Sequence, residues 1–300
     1  MRIVIMNGGL GNQMFQYIFY RWLELNTTDP CVVDDSAFFD DNVEHNGYEL
    51  EKIFNVKPKR LSQIFTQELW QEMLDNRKAG ISIEQQLQDN GFNLLMFAET
   101  SDFSYNGNVV MMPANHQDAS TKYCVKNVIG NVYYHGYWIT NNWLDDIYQD
   151  IKKEFSFPPI KNKANLAVQS RILNSDSCGI HIRRGDFVKI NWNLNTDYYL
   201  GAINEMIRLR GNSVNYFVFS DDIEWCKENE KALGFDQVKP QLEYVQGNYD
   251  GQSNYVDMQL ISCCKWLIMS QSAFCYMAAL LSDQLKGEIN PTNRDVTHHT

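Results

Sequence analysis

The start of the chain alternates between strand and helix patterns, and this order constrains the fold more than any other feature of the sequence. Ile3-Val4-Ile5-Met6 is a short apolar run that is typical of a buried strand. Apolar side chains then recur at helical spacing from about Asn12 to Leu25, and Cys31-Val32-Val33 is a second apolar run. A β-α-β unit of this kind predicts a parallel sheet with helices on both of its faces.

The same alternation returns in the second half of the chain. The strands and helices predicted there are 163–173, 179–182, 198–209, 216–219, 222–233, 255–264, 266–269 and 272–281. Between about 51 and 143 the pattern gives no clear order of elements. The adjacent prolines of Phe155-Ser156-Phe157-Pro158-Pro159 end any helix at this point, so we expect two domains, 1–160 and 161–300.

The composition excludes several classes of protein. With 300 residues, 44% of them hydrophobic, the chain can bury a large core and does not have the composition of a disordered protein. Its 37 acidic and 26 basic side chains give a net charge of −11, which has the wrong sign for binding nucleic acid or an anionic membrane. An anionic ligand would therefore need a local cationic patch.

Cysteine usage and hydropathy bear on the location of the protein. Seven cysteines without a C-x-x-C spacing and six scattered histidines indicate neither a disulfide framework nor a zinc site. Reduced thiols are typical of the cytoplasm, and no stretch has the roughly 18 apolar residues of a spanning helix. We expect a cytoplasmic protein without a membrane span, and peripheral association with the inner face of a membrane stays open.

The motif with the most charged and titratable side chains is His181-Ile182-Arg183-Arg184-Gly185-Asp186-Phe187, at the end of a predicted strand. Ligands of open α/β sheets bind beyond the carboxyl ends of the strands, and guanidinium groups bind phosphate bidentately. We therefore interpret Arg183 and Arg184 as a local cationic site for an anion. The alternative is a strand-end salt bridge from one of these arginines to Asp186. His181 is either a ligand contact or a packed core residue.

A glycine-rich motif, Asn7-Gly8-Gly9-Leu10-Gly11-Asn12-Gln13, lies between the first predicted strand and helix. Glycines let the backbone approach a ligand closely, and a helix N-terminus favours negative charge. The motif is not a dinucleotide fingerprint, because Met14 stands where a third glycine is required, and no Gly-Lys-Ser/Thr follows as in a P-loop. The Asn12 and Gln13 amides suggest hydrogen bonds to hydroxyl groups, although a generic glycine turn would contain the same glycines.

Ser220 and Asp221 follow the predicted strand at 216–219. We interpret them as contacts to a ribose or a phosphate. The alternative is a helix start in which Asp221 is the N-cap and Glu224 completes a capping box.

Polar residues also stand at the two helix starts near the end of the chain. Ser270 and Ser272 lie where a helix N-terminus offers N–H groups to a phosphate, or they cap that helix. Asp257 is either a ligand contact or a carboxylate that interacts favourably with the helix dipole.

The sequence predicts no metal at this anion site. It contains no Asp-x-Asp, the usual carboxylate clamp for a divalent cation on a nucleotide diphosphate. A diphosphate would then be neutralised by arginine and by helix N-termini.

Four segments, in this order and spacing, resemble the bacterial α-1,2-fucosyltransferases of glycosyltransferase family 11. They are Gly8 to Tyr17, His181 to Val188, Phe217 to Asp222, and Asp257 to Leu281. The first two are highly specific, whereas the middle third of the chain resembles the family only loosely. The last segment departs from the family at Gln271 to Met277, where two tryptophans that the family often has are absent.

The resemblance implies a GT-B architecture, in which two Rossmann-like domains with parallel sheets face a cleft. The N-terminal domain, 1–160, would take the acceptor, and the C-terminal domain, 161–300, would bind GDP-fucose. The implied enzyme is inverting and metal-independent, and it moves L-fucose from GDP-fucose to the 2-hydroxyl of a galactose in an oligosaccharide or polysaccharide. GDP-fucose is then a substrate, and the reaction uses no cofactor.

The resemblance also assigns roles to individual residues. Arg183 would bind the β-phosphate of the departing GDP, and Asn12 would line the reaction centre from the other domain. Asp257 would read guanine, because a carboxylate can accept from both N1–H and N2–H₂. Asp186 is our candidate for the general base, and a relay through Asn12 is the alternative. The other assigned residues are Gly9, Gly11, His181, Arg184, Ser220, Asp221 and Ser272 on the donor side and Gln13 on the acceptor side.

Two other classes of protein share parts of this pattern. A non-catalytic nucleotide-sugar or glycan-binding protein on the same fold is the first, and retention of both the arginine pair and the Gly-Asn-Gln loop argues against it. An NAD-dependent oxidoreductase is the second, and the incomplete glycine fingerprint disfavours it. The sequence leaves the acceptor glycan and the oligomeric state open.

Overall fold

The computed structural model describes residues 1–40, 45–99, 109–111, 119–144, 146–248, 251 and 253–291. The chain divides into two compact units, the first from Met1 to Ser156 and the second from Phe157 onward. The division lies within the segment that contains the adjacent prolines.

The first unit is built on a five-stranded sheet in which every neighbouring pair is parallel, in the order β2-β1-β5-β3-β4. Its strands are β1 (Arg2–Ile5), β2 (Cys31–Asp34), β3 (Leu94–Ala98), β4 (Val109–Met111) and β5 (Asn131–His135). Its helices are α1 (Leu10–Asn26), α2 (Leu50–Phe54), α3 (Gln67–Lys78), α4 (Ile83–Asp89), α5 (Ala119–Asn127) and α6 (Tyr148–Glu154). The β-α-β opening predicted from the sequence is therefore confirmed.

Aromatic side chains fill the space beside helix α1. The ring of Phe19 stacks on Trp138 with centroids 4.1 Å apart, and Trp22 contacts Trp143 edge to face at 5.0 Å. All four side chains are buried. These contacts bury one side of α1 and give Trp138, one of the aromatic residues around 133–138, a role in packing.

The second unit contains another five-stranded parallel sheet, in the order β10-β9-β6-β7-β8. Its strands are β6 (Ser177–Ile182), β7 (Asn215–Ser220), β8 (Leu242–Tyr244), β9 (Trp266–Ile268) and β10 (Gly287–Ile289). The chain runs outward from β6 to β8, returns to β9 on the other side of β6, and continues to β10. The order of the strands therefore reverses between β6 and β9.

The helices of the second unit connect these strands. They are α7 (Lys163–Leu173), α8 (Gly185–Lys189), α9 (Thr196–Arg210), α10 (Ile223–Glu228), α11 (Glu230–Leu233), α12 (Asn254–Ser262) and α13 (Ala273–Leu281). The single helix predicted over 222–233 is wrong, because the chain is interrupted at Asn229 and forms α10 and α11. The predicted stop at Gly234 is confirmed, since this residue ends α11 in the left-handed conformation, with φ of 81°.

The α/β class with two parallel sheets agrees with the sequence prediction. Within the described ranges, no helix combines the length and the apolar character needed to cross a membrane.

Candidate active site

The assigned residues of the second unit follow the carboxyl ends of its strands. Arg183 and Arg184 come after β6, Ser220 ends β7, and Ser270 and Ser272 come after β9. All strands of this sheet are parallel, so these ends share one edge. The strand order reverses between β6 and β9, and ligands of open α/β sheets bind in the crevice beyond such a switch point.

His181 and Ser270 join the ends of the two strands at the switch point. His181 Nδ1 lies 2.7 Å from Ser270 Oγ, and both side chains are buried. The His181 ring also stacks on Phe274, with centroids 5.7 Å apart. Burial, with a smaller contribution from Arg183, lowers the pKa of His181 to about 3, so the ring is neutral at neutral pH. Of the two interpretations of His181, these contacts favour the packed core residue.

Arg183 is held by two carboxylates. Its Nη2 donates to Asp186 Oδ1 over 2.6 Å, and its Nη1 lies 2.9 Å from Asp221 Oδ2. The guanidinium carbon is also 5.6 Å from the centre of the Phe187 ring. The Arg183 side chain remains 25% exposed, and that of Asp186 remains 46% exposed. The strand-end salt bridge that the sequence left as an alternative is therefore present.

Arg184 points to a different set of partners. Its Nε donates to Asp222 Oδ2 over 3.1 Å, and its guanidinium carbon lies 3.6 Å from the centre of the Trp225 ring. Its backbone N–H donates to Asp221 Oδ1 over 2.8 Å. Arg184 is thus stacked and paired on one side of the turn, whereas Arg183 is the more exposed of the two guanidinium groups.

Asp221 organises the turn that carries both arginines, because one of its oxygens accepts from the Arg184 backbone while the other faces Arg183. A Cβ on Gly185 would lie 2.7 Å from Asp221 Oδ2, so a larger residue there would displace the carboxylate from its position beside Arg183. Burial raises the pKa of Asp221 above its ordinary value, and Arg183 acts in the opposite direction.

In the structure, carboxylates balance the charge of the two arginines of the predicted cationic site. Two guanidinium groups, those of Arg183 and Arg184, are paired with three carboxylates, those of Asp186, Asp221 and Asp222. In the part of the chain that the structure describes, no group of three or more His, Cys, Asp and Glu side chains could hold a metal ion.

The helix start after β7 lies one residue later than predicted. Asp222 is the N-cap of α10, and its Oδ1 accepts from the Trp225 N–H over 3.2 Å. The interpretation of Asp221 as the N-cap is therefore wrong. Ser220 is buried, and its Oγ accepts from the Asp222 N–H over 3.1 Å, which supports this turn.

Asp257 lies in the first turn of α12 and is 8% exposed. Its Oδ1 accepts from Asn248 Nδ2 over 2.6 Å. Burial raises the pKa of Asp257 to about 7, and the hydrogen bond from Asn248 acts in the opposite direction. A buried carboxylate with a raised pKa is typical of a functional site more than of a helix-dipole contact.

Ser272 is the N-cap of α13, and its Oγ accepts from the Phe274 N–H over 3.3 Å. This is the capping role that the sequence left as an alternative. The hydroxyl hydrogen is not used in that bond, so Ser272 can cap the helix and still donate to an anion.

In the first unit, the glycine motif follows the carboxyl end of β1. Gly8 has φ of 73° and a Cβ there would lie 2.7 Å from Asn12 Nδ2, so both the conformation and the space require glycine. Gly9 is the N-cap of α1 and gives its first turn no side-chain cap, and Gly11 is buried in that turn. The Asn12 amide is partly exposed and makes no hydrogen bond to any described residue.

Gln13 has a structural role that differs from the predicted one. Its Nε2 donates to the carbonyl oxygens of Gly8 and Gly47 over 2.9 and 2.8 Å, and its Oε1 accepts from the Glu49 N–H over 2.9 Å. The side chain is 0% exposed. Gln13 therefore supports the loop, and its buried side chain is not accessible to an acceptor, so its assignment to the acceptor side is corrected.

Sequence reasoning missed two contacts of this site. Trp225, which stacks on Arg184, and Asn248, which binds Asp257, both lie outside the motifs. For Asn248 the only signal was its position shortly after a strand end, and β8 itself was not predicted.

A family model described as glycosyl transferase family 11 matches residues 1–298. Two Escherichia coli proteins are similar over most of the chain. Alpha-1,2-colitosyltransferase is 26% identical over 290 residues, covering 92% of this chain and 86% of that protein. The O-antigen biosynthesis glycosyltransferase WbnK is 28% identical over 298 residues, covering 92% and 89%.

Among solved structures, the chain is similar to NodZ of Bradyrhizobium. NodZ alpha-1,6-fucosyltransferase co-crystallised with GDP aligns with a TM-score of 0.55 and 14% identity, over 94% of this chain and 92% of NodZ. This likeness concerns the fold, and it confirms the α/β class with two parallel sheets. The match of the family model confirms the expected enzyme class, and the chain belongs to glycosyl transferase family 11.

Proposed function

We propose that this enzyme transfers L-fucose from GDP-fucose to the 2-hydroxyl of a galactose in a glycan acceptor, with inversion at C1 and without a metal ion. The α-1,2 linkage is supported by the name of the colitosyltransferase relative and by the motifs shared with α-1,2-fucosyltransferases. GDP as the leaving group is supported by the same motifs.

The observation that carries this proposal is the position of Arg183. It stands directly after β6 at the switch point of a parallel sheet, and its side chain is the more exposed of the two guanidinium groups there. A partly exposed guanidinium in such a crevice is suited to bind a phosphate bidentately.

The reaction that we propose is a single displacement. The acceptor hydroxyl oxygen attacks C1 of the fucose, the bond from C1 to the β-phosphate oxygen breaks, and the hydroxyl proton passes to a base. Negative charge then grows on the β-phosphate. Arg183 would meet that charge by exchanging its contact to Asp186 for one to the phosphate, while Asp221 continues to hold its other Nη group.

The rest of the donor is assigned to the same sheet edge. We propose that Asp257 accepts from guanine and that Ser272, at the start of α13, donates to a phosphate. His181 is proposed to act through Ser270, by fixing that hydroxyl beside the phosphate position. Gly9 and Gly11 belong to the first unit, not to this sheet edge, and they are proposed to leave space for the donor at the start of α1.

Two residues are proposed for the acceptor hydroxyl. Asp186 is the general base, since it is half exposed and its Oδ2 has no hydrogen-bond partner among the described residues. Asn12 is the second, because its amide is also free of described partners and partly exposed. We propose that Asn12 orients the acceptor or the sugar and does not remove the proton.

The proposed acceptor is a galactose-terminated oligosaccharide or a repeat of a surface polysaccharide. The similarity to WbnK, named for O-antigen biosynthesis, supports the polysaccharide. The similarity to a colitosyltransferase makes GDP-colitose the donor to compare with GDP-fucose.

The test is to incubate the full chain with GDP-fucose or GDP-colitose and a panel of galactosides, and to determine the linkage of the product by NMR. We expect an α-1,2-fucosylated galactose, with UDP-galactose inactive as a donor control. GDP binding without turnover of any donor would favour a non-catalytic binding protein, and a product linked elsewhere would contradict the proposed regiochemistry.

A further inference from the structure

A buried pair of amides lies beside Asp257. Asn165 Nδ2 donates to Asn248 Oδ1 over 2.7 Å, and Asn248 Nδ2 donates back to Asn165 Oδ1 over 3.3 Å. Asn248 Nδ2 is also the group that donates to Asp257. The three side chains come from α7, from the segment after β8 and from α12. They therefore tie three elements together at one edge of the second sheet.

Asp257 and Asn165 together fix the orientation of the Asn248 amide, because the carboxylate accepts only from its NH₂ group and Asn165 pairs with both of its ends. The two ends of an amide are nearly equal in size, so neighbouring hydrogen bonds determine its orientation. Asn165 Nδ2 donates to Asn248 Oδ1, and the NH₂ group of Asn248 faces Asp257. If the Asn248 amide were reversed, its oxygen would face the Asp257 carboxylate oxygen. The hydrogen bond to Asp257 and the two bonds with Asn165 would then be lost.

The contact from Asn248 also acts on the charge of Asp257. Asn165, Asn248 and Asp257 are 5%, 1% and 8% exposed, so water screens the carboxylate poorly. Burial favours its protonated form, whereas a donated hydrogen bond favours its charged form. In the described part of the chain, these are the two influences on the pKa of Asp257, and no charged side chain contributes.

We propose that Asn248, held in place by Asn165, is a positioning residue for nucleotide recognition, because it keeps the Asp257 carboxylate charged and correctly turned to accept from both N1–H and N2–H₂ of guanine. A protonated carboxyl group has a donor of its own and cannot accept from both guanine groups. The inference rests on the proposed function, in which Asp257 reads guanine. It makes selectivity for GDP over IDP, which lacks the N2 amino group, depend on Asn248.

The test compares the affinities of the full chain for GDP and IDP by calorimetry at pH 7.0 and pH 8.5. For the wild type we expect a preference for GDP over IDP of about tenfold to a hundredfold. This is the contribution of one charge-assisted hydrogen bond, the one from the N2 amino group to Asp257. Asn248→Ala should lose most of this preference at pH 7.0 and regain part of it at pH 8.5, where Asp257 is charged without help. A variant that is only destabilised would not regain selectivity at higher pH.

Two further variants make the result decisive. Asn165→Ala should reduce the preference less than Asn248→Ala, and it replaces that variant if Asn248→Ala does not fold. Asn174→Ala, at the exposed end of the same helix, is the matched control and should leave the preference unchanged. A folded Asn248→Ala or Asn165→Ala protein with wild-type selectivity and pH dependence would overturn this inference alone. Wild-type protein that does not bind GDP would overturn the proposed function as well.

Discussion

Arg183 Nη2 donates to Asp186 Oδ1 over 2.6 Å, so the residue proposed to bind the β-phosphate and the proposed general base form an ion pair. A β-phosphate that binds Arg183 competes with this carboxylate. Its arrival would release Asp186 for the acceptor hydroxyl, which links donor binding to activation of the base.

Replacing Asp186 by asparagine tests this relationship. We expect Asp186→Asn to lower kcat by about 10²-fold, because general base catalysis contributes on this order. The affinity for GDP should stay the same or increase, since a competing negative charge is removed from Arg183. Steady-state kinetics and calorimetry measure the two effects separately. A kcat within a few-fold of the wild type would show that Asp186 is only an ion-pair partner of Arg183.

Asn12 and Gln13 are neighbours with different expected phenotypes. Gln13→Ala removes three hydrogen bonds to the backbone of Gly8, Gly47 and Glu49, and we expect the Tm to fall by about 5 °C or more. Asn12→Ala removes an amide without described partners, so the Tm should change little while kcat falls about tenfold or more. Thermal melts and kinetics on both variants check this. Full activity of Asn12→Ala would remove Asn12 from the proposed mechanism.

The affinity for GDP should depend on pH through Asp257. In the proposed complex guanine binds the carboxylate, and burial raises the pKa of Asp257 to about 7, so the charged fraction falls as the pH falls below 7. Well below pH 7, the affinity for GDP should fall about tenfold for each pH unit, because each unit lowers the charged fraction of Asp257 about tenfold. Calorimetry between pH 5.5 and pH 8.5 measures this profile.

Asp257→Asn is the control for that profile, because the terminal phosphate of GDP titrates in the same range for both proteins. The variant should bind GDP more weakly above pH 7, by about tenfold to a hundredfold. The difference between the two proteins should shrink as the pH falls. Equal affinities at pH 8 would mean that Asp257 does not contact guanine.

Transfer should continue in the presence of EDTA. The sequence contains no Asp-x-Asp, and we propose that Arg183 and the start of α13 neutralise the diphosphate. Initial rates with EDTA and with added Mn²⁺ should agree within about twofold. Complete loss of activity on chelation, restored by Mn²⁺, would contradict the metal-independent mechanism.

Local patterns in the sequence predicted helices with one buried face and strands that are buried along their length. The helix predicted over 163–173 has those bounds. Asn162 caps it, because its Oδ1 accepts a hydrogen bond from the Ala164 N–H. The strand predicted over 179–182 extends from Ser177 to Ile182, and all its residues are buried. In contrast, β8 and β10 have three residues each and are only partly buried, so they leave no apolar run to recognise.

The candidate site could be predicted only as far as its motifs extend. The strand-end position of Arg183 followed from local pattern, but its pairing with Asp221 joins two separate strands. The Asn165–Asn248 contact spans 83 residues, and nothing in either local sequence indicates it. The buried, saturated amide of Gln13 was likewise hidden, since an amide in a glycine motif looks the same whether it faces a ligand or the backbone.

Arg183→Lys tests the central claim that this guanidinium stabilises the departing GDP. Lysine keeps the charge but loses the bidentate geometry, and charge on the β-phosphate grows only as the C1–O bond breaks. Arg184→Lys is the matched comparison, because Arg184 is paired with Asp222 and stacked on Trp225.

The decisive measurement is kcat for GDP-fucose transfer by folded Arg183→Lys, with the Kd for GDP measured on the same protein. We predict a drop in kcat on the order of 10²-fold or more, as for the loss of an oxyanion donor. The Kd should change less, and Arg184→Lys should be milder. A folded Arg183→Lys enzyme with near-wild-type kcat would contradict the account.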